Sequence, residues 1–210
     1  MIALLYVLLY IALIFTPFAM LPTSFIPGVG LEEVSLFNYG VLGLVGLVLF
    51  WKNFYGSWKK MSGKISKVLV RVIGVYLLSS LAMGILATIF NLTTSQNQEL
   101  ILNAFGENNF LLSLITLGIL GPITEEIIYR EILIGKGRRK LGTALAGLVS
   151  TFIFAWIHTL AGSLIEIVIY LPLSFGFVWI YLKEDLGLVP STLAHVVRNV
   201  IAVLTMYFIL

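Results

Sequence analysis

Three carboxylates and a guanidinium fall within one short run, Gly121-Pro122-Ile123-Thr124-Glu125-Glu126-Ile127-Ile128-Tyr129-Arg130-Glu131, inside an otherwise apolar segment from Phe110 to Ile134. An ionisable group at the centre of a bilayer costs roughly 2.5–3.5 kcal/mol on insertion scales, so such groups persist where they pair, line a wet cavity or do chemistry. Helical spacing sorts them. Glu126 and Arg130 stand i,i+4 and can pair on one face. Glu125 lies about 100° further round the helix and lacks that partner. The pair reads as structural and Glu125 as the free carboxylate, the candidate base. The same residues would also serve as a buried salt-bridge cluster that holds helices in register.

The chain has two histidines, and each sits in an apolar run: Phe154-Ala155-Trp156-Ile157-His158, and His195-Val196-Val197-Arg198-Asn199. Phe154 shares a helix face with His158, and His195 with Asn199. Three separate segments thus present Glu125, His158 and the His195/Asn199 pair, groups suited to proton transfer and to hydrogen bonding an oxyanion. Singly, each histidine would serve equally as an interhelical hydrogen-bond contact. Glu166, at the start of a segment bent by Pro172, reads as structural.

Composition dictates what must carry these residues. Of 210 residues, 60% are hydrophobic and 11% charged, against roughly 45–50% and 25% in soluble domains; mean hydropathy is +1.05. The expected fold is an all-α, polytopic helical bundle of about seven spans, one domain over 1–210, with the candidate catalytic core over about 110–205. The spans read Ile2–Leu21, Leu36–Trp51, Val68–Phe90, Phe110–Ile134, Thr143–Leu160, Leu164–Leu182 and Ser191–Leu210. The first lacks a basic n-region and reads as a helix rather than a leader, with Pro17 kinking it or ending it early. Residues 52–67 read as a basic loop, and Ser191 or Thr192 as the cap of the last span. Asn91-Leu92-Thr93 matches a glycosylation acceptor pattern by chance, and Leu100–Phe105 suits an interfacial turn.

Charge orients the spans. With the N-terminus in the cytoplasm, eleven of the 13 Lys and Arg lie in or beside the inside loops: Lys52, Lys59, Lys60, Lys64, Lys67, Arg71, Lys136, Arg138, Arg139, Lys140 and Lys183. That is the positive-inside pattern, and it explains the net charge of +3 without a nucleic-acid partner. Only Arg130 and Arg198 are left over. The absence of cysteine excludes disulfides, thiolate metal sites and a cysteine nucleophile. Counted along the helices, His195 and Asn199 fall in the inner half, Glu125 at mid-depth and His158 further out, a spread wider than one site allows.

The three motifs, E-E-x-x-x-R, F-x-x-x-H and H-x-x-x-N, in this order on three spans, resemble those of the CPBP (Abi) family of intramembrane proteases, which includes CAAX prenyl endopeptidases and proteins of bacteriocin processing and self-immunity. The resemblance covers roughly Leu111 to Ile201. One departure is Glu131, where many bacterial members have glycine after the motif arginine; a second acid there would share the charge of Arg130.

The resemblance implies an endopeptidase in which Glu125 is the general base, His158 assists it in activating water, His195 and Asn199 bind the oxyanion, and Glu126, Arg130 and Phe154 support the site. No metal is required by that scheme. Zinc, if bound, would take Glu125, His158 and His195, the reason for which such proteins are often classed as metalloproteases. The implied partners are a peptide or protein substrate, a lipidated or membrane-embedded one included, and membrane lipids. Short loops and the lack of eukaryotic targeting features point to a bacterial cell membrane, with less place for a prenylated substrate. The alternatives are a non-catalytic self-immunity or scaffold protein and, third, a small transporter, for which no broken-helix pair or inverted repeat is visible.

Overall fold

A computed structural model of the chain describes residues 1–20, 23, 28, 30–92, 109–160 and 163–208. Thr93 of the acceptor pattern, the Leu100–Phe105 turn, Glu99 and Glu107 lie outside the described residues. Among the described residues every regular element is helical.

Helix α1 (Ile2–Phe15) stops where the sequence asks it to: Thr16 is extended ahead of Pro17, as a residue before proline prefers, and a 3₁₀ turn follows over Pro17–Met20. Helix α2 (Leu31–Leu49) starts at Gly30, whose N–H donates to the Glu33 carboxylate at 2.9 Å. A 72° bend at Phe50 leads into α3 (Trp51–Ser62). The basic loop read over 52–67 is therefore mostly helix. Its lysines occupy one face of an amphipathic helix, while Ser57 and Met61, i,i+4, are buried on the other; charge density there marks a surface, not irregular backbone.

Helix α4 (Ile65–Ile89) carries exposed Leu77, Leu78, Leu81 and Ile85, a surface that suits lipid tails rather than water. Helix α5 runs over Phe110–Leu141, α6 over Thr143–Ile157, α7 over Ile167–Lys183 with Pro172 inside it, and α8 over Leu188–Phe208. The last helix starts three residues earlier than expected. Its first turn is closed by Gly187, and Ser191 donates to the Leu188 carbonyl at 3.2 Å instead of capping the helix.

Among the described residues four helices are long and apolar enough to span a membrane: α4, α5, α7 with its leading 3₁₀ turn, and α8; the bent pair α2–α3 makes up to five. The remaining two expected spans are apolar helices of 14 and 15 residues, α1 and α6, about 21–22 Å long against a hydrocarbon core of about 30 Å. Helix α7 packs most extensively on α4 and α6, while α8 packs along the first half of α5 and against α4.

The basic end is tied by ion pairs. Lys64 meets Glu184 at 2.6 Å, Arg71 shares that buried carboxylate, and Lys60 meets Asp185 at 2.7 Å. Arg71 is thus paired, half-buried, with a carboxylate of the α7–α8 turn. The ammonium of Lys60 holds the exposed Asp185 carboxyl below its ordinary value.

Candidate active site

Helix α5 is not wound uniformly. Leu114–Leu120 and Ile127–Lys136 are π-helical, and the α-helical turn Gly121–Glu126 between them holds Glu125 and Glu126. Such stretches often mark functional positions. Pro122 shows why one of them opens a site. The Gly121 N–H bonds the Thr116 carbonyl, five residues back. The next bond in that register would run from residue 122 to the Leu117 carbonyl, and proline has no N–H to make it. Asn199 of α8 supplies the donor instead, its Nδ2 lying 2.9 Å from Leu117 O. The motif asparagine is thereby placed by the backbone defect of the motif helix. One amide hydrogen and the carbonyl oxygen of its side chain remain for a ligand.

The expected spread in depth does not occur. Glu125 Oε2 stands 3.8 Å from His158 Nε2 and 3.8 Å from His195 Nε2. Helix α6 ends at Ile157, so His158 occupies the turn beyond it; counting residues along idealised parallel helices misses both that end and the π winding of α5.

Each imidazole is fixed from behind. His158 Nδ1 lies 2.7 Å from the Phe154 carbonyl, four residues earlier. A carbonyl only accepts, so Nδ1 carries the hydrogen and Nε2 of the neutral ring is a bare acceptor. His195 Nδ1 lies 3.0 Å from Glu126 Oε1, and the other oxygen of Glu126 faces Arg130 Nε at 3.4 Å. A carboxylate paired with a guanidinium also only accepts, so His195 has the same tautomer. Both Nε2 atoms and Glu125 Oε2 therefore turn lone pairs toward one another. At 3.8 Å they are too far apart to bond directly, and Glu125 Oε2 has no hydrogen-bond partner among the described residues.

The support layer behind these groups is buried. Glu126 and Arg130 are fully buried and face each other at 3.4 Å, the pairing that the i,i+4 spacing predicts. Arg130 Nη1 donates to Ser150 Oγ at 3.0 Å, and Ser150 donates to the Tyr129 carbonyl at 2.6 Å. The Phe154 ring lies 4.9 Å from the Arg130 guanidinium, 4.4 Å from the His158 ring and 5.5 Å from the His195 ring. These contacts explain the motif phenylalanine, since one ring packs against both histidines and the cation. Phe177 of α7 stacks on His195 at 4.4 Å.

Sequence reading misses Ser150 and Phe177. Ser150 is detectable, since Ser150, Phe154 and His158 repeat every four residues on one helix face. No spacing or motif singles out Phe177 from the other apolar residues of α7. Glu131 takes its partners away from the cluster. Asn53 Nδ2 donates to its Oε1 at 2.6 Å and Tyr181 to its Oε2 at 3.1 Å. The departure at Glu131 thus joins α5 to α3 and α7, and the charge of Arg130 stays with Glu126.

A cavity of about 730 Å³ reaches this point, lined among others by Glu125, His158, His195, Arg198 and Asn199. Ligand pockets run from about 300 to 1,000 Å³. The side chains of Glu125 and His158 are 13% and 21% exposed, so both are accessible from it. Two histidines and a carboxylate are also a zinc-binding donor set, and Phe154 O and Glu126 are the kind of outer partners such ligands keep. As arranged, however, no three His, Asp or Glu side chains among the described residues are placed to hold a metal ion. No step below passes through a metal ion.

Residues 107–201 match the family model "Type II CAAX prenyl endopeptidase Rce1-like". Over 93 residues the chain is 34% identical to "Putative membrane peptidase YdiL" of Bacillus subtilis, covering 44% of this chain and 36% of that protein. It is 40% identical over 72 residues to "UPF0177 protein YbdJ" of Lactococcus lactis, covering 34% and 30%. A second Lactococcus lactis protein, "UPF0177 protein YxdF", is 34% identical over 79 residues, covering 38% and 41%. The chain thus spans between 30% and 41% of the length of these curated relatives. No solved structure matches it. The stretch that matches, residues 107–201, holds all three motifs, and the match supports the CPBP-family resemblance that those motifs carry.

Proposed function

We propose that the chain is an intramembrane endopeptidase that hydrolyses a peptide bond with a water activated at Glu125. The observation that carries this reading is the convergence of Glu125 Oε2, His158 Nε2 and His195 Nε2 at the wall of the cavity. Three acceptors facing one point call for a donor, and water supplies two hydrogens. Glu125 takes one proton as the water oxygen attacks the carbonyl carbon, and His158 Nε2 orients the water through the other. The proton held on Glu125 then passes to the leaving amine.

The oxyanion needs donors. The free amide hydrogen of Asn199 is one. His195 is a second only when its ring carries hydrogens on both nitrogens, with the Nδ1–H on Glu126 and the Nε2–H on the oxyanion. Glu126 therefore does more than support the fold: it holds the Nδ1–H of His195 and so leaves Nε2 facing the cavity. Donors of this kind are typically worth about 2.7–4 kcal/mol each.

The experiment compares wild type and Glu125→Gln in detergent, with quenched fluorescent peptides that include a farnesylated CAAX peptide. Cleavage by wild type alone supports the reading, and the peptide cleaved names the substrate. Undiminished cleavage by Glu125→Gln refutes Glu125 as base. Cleavage by neither favours the non-catalytic scaffold or self-immunity role.

A further inference from the structure

Helix α3 carries a surface that neither the bundle nor the cavity uses. Its inner face is accounted for. Ser57 accepts from the Val189 N–H at 2.9 Å, Asn53 donates to Glu131 at 2.6 Å, and Met61 packs into the core. Lys60 is taken by Asp185. These contacts lay α3 across the basic end of the bundle, against α5, α8 and the turn between α7 and α8. The rest of the helix faces outward. Trp51, Tyr55 and Trp58 are exposed, and the rings of Trp51 and Tyr55 lie 6.0 Å apart. Lys52 and Lys59 are exposed as well, and among the described residues neither has an ion-pair partner.

Helical spacing sorts these side chains into sectors. At about 100° per residue, Trp51, Tyr55 and Trp58 fall within an arc of about 60°, with Lys52 and Lys59 beside it on one side and Ser57 and Met61 on the other. An aromatic stripe between a basic strip and a buried face suits a helix lying in a membrane interface, where rings sit at headgroup level and ammonium groups reach the phosphates. The stripe also continues a lipid-facing surface: Leu44 and Val48 of α2 are exposed, and the run 44, 48, 51, 55, 58 keeps one helical spacing across the bend. That bend of 72° turns α3 from the direction of α2 toward the membrane plane. No Asp or Glu occurs in Trp51–Ser62, so the two free ammonium groups have no anion of their own. We propose that α3 is a binding site for anionic phospholipid, with Trp51, Tyr55 and Trp58 seated among the headgroups and Lys52 and Lys59 on the lipid phosphate. A zwitterionic lipid brings its own cation to the same strip and is held less well. The exposed turn of Arg138, Arg139 and Lys140 is as basic but has no ring within it, and it serves as the control for charge alone.

The test reads lipid contact at α3 itself. The chain has four tryptophans, so Trp156→Phe with Trp179→Phe leaves those of α3 as the only reporters. In that background, protein in detergent is titrated with brominated phosphatidylglycerol or brominated phosphatidylcholine, and quenching of fluorescence is followed. Both lipids quench, and phosphatidylglycerol does so at a concentration lower by about tenfold or more, each lysine near an anionic surface contributing a factor of about five. Adding Lys52→Gln and Lys59→Gln removes the preference and leaves quenching by phosphatidylcholine unchanged, which reports a folded and seated helix. Adding Arg139→Gln and Lys140→Gln instead keeps the preference. Equal quenching by the two lipids overturns the proposal, as does a preference that survives without Lys52 and Lys59. An equal loss in the Arg139 and Lys140 variant overturns it too, by reducing the effect to net charge. Quenching by neither lipid, with a detergent-corrected mass of two chains, would give the face to a second copy. None of these readings depends on hydrolysis, so the proposal stands or falls apart from the endopeptidase reading.

Discussion

Replacing Ser150 with alanine removes one oxygen atom from the support layer and leaves every motif residue in place. Ser150 Oγ accepts from Arg130 Nη1 at 3.0 Å and donates to the Tyr129 carbonyl at 2.6 Å. Arg130 Nε and Nη2 have no hydrogen-bond partner among the described residues, so the substitution leaves the buried guanidinium with its Glu126 ion pair and the surrounding rings alone. Side-chain hydrogen bonds between membrane helices average about 0.6 kcal/mol and reach about 1.7. A bond to a charged group is worth about 1.5–3 kcal/mol. The second figure governs here because the donor is a fully buried cation, and the expected loss is about 2 kcal/mol. At about 2–4 °C per kcal/mol for a chain of this size, Tm in detergent falls by about 4–8 °C. Hydrolysis of the cleaved peptide falls with it, because Glu126 then shifts toward Arg130 and away from His195. In an Arg130→Met background the same substitution costs no more than an ordinary interhelical bond. A loss near 0.6 kcal/mol in both backgrounds, the ordinary interhelical value, would refute the claim that Ser150 satisfies the guanidinium.

Other outcomes follow from the same contacts. Pro122→Ala restores a backbone N–H that competes with Asn199 for the Leu117 carbonyl; thermal stability holds or rises while kcat falls about tenfold, and unchanged kcat would show that Asn199 is placed by something else. Glu131→Ala strands Asn53 and Tyr181, lowering stability by about 1–3 kcal/mol, and the peptides cleaved stay the same; an altered cleavage profile would put Glu131 in the site. For Asp185 the pH dependence has a definite sign. Its carboxyl is held below its ordinary value by Lys60, so the Lys60–Asp185 contribution is present above the unfolded value, near 3.9, and is lost as pH falls through the lowered folded value. The pair is mostly exposed, so Lys60→Gln abolishes only a few tenths of a kcal/mol of that dependence. Protein washed with chelator and assayed by elemental analysis carries less than one zinc per chain; a stoichiometric ion surviving the wash would assign Glu125, His158 and His195 as its ligands.

The parts of this molecule that are legible in its sequence are those where residue type and spacing report chemistry directly. An unpaired Glu125 beside an i,i+4 pair, with two histidines and an asparagine on other helices, is enough to nominate the cluster. Depth is not legible, because it depends on where α6 ends and on π winding that hydropathy does not register. Helix α3 is hidden for a different reason: its lysines satisfy the topology rule so well that the buried Ser57 and Met61 beneath them go unread. Two apolar runs, α1 and α6, give the hydropathy of full spans with the helix length of shorter elements, since proline and a helix end interrupt them without changing composition. Asn199 is found by its motif, yet its reason for being there, the missing N–H of Pro122 on another helix, is a relation between distant residues.

The bend at Phe50 has a mechanical result. It turns α3 beneath the start of α8, where the Val189 N–H donates to Ser57 at 2.9 Å and Lys60 reaches the turn at Asp185. The helix that bears His195, Arg198 and Asn199 is therefore seated at its first turn on a basic shelf that contributes no reactive group. A change on that shelf would slide or tilt α8 against α5 and reset the spacing of His195 from Glu125. Selection could thus retune the site from a surface where every motif residue is absent, and a survey of variants with altered activity should find some of them in α3.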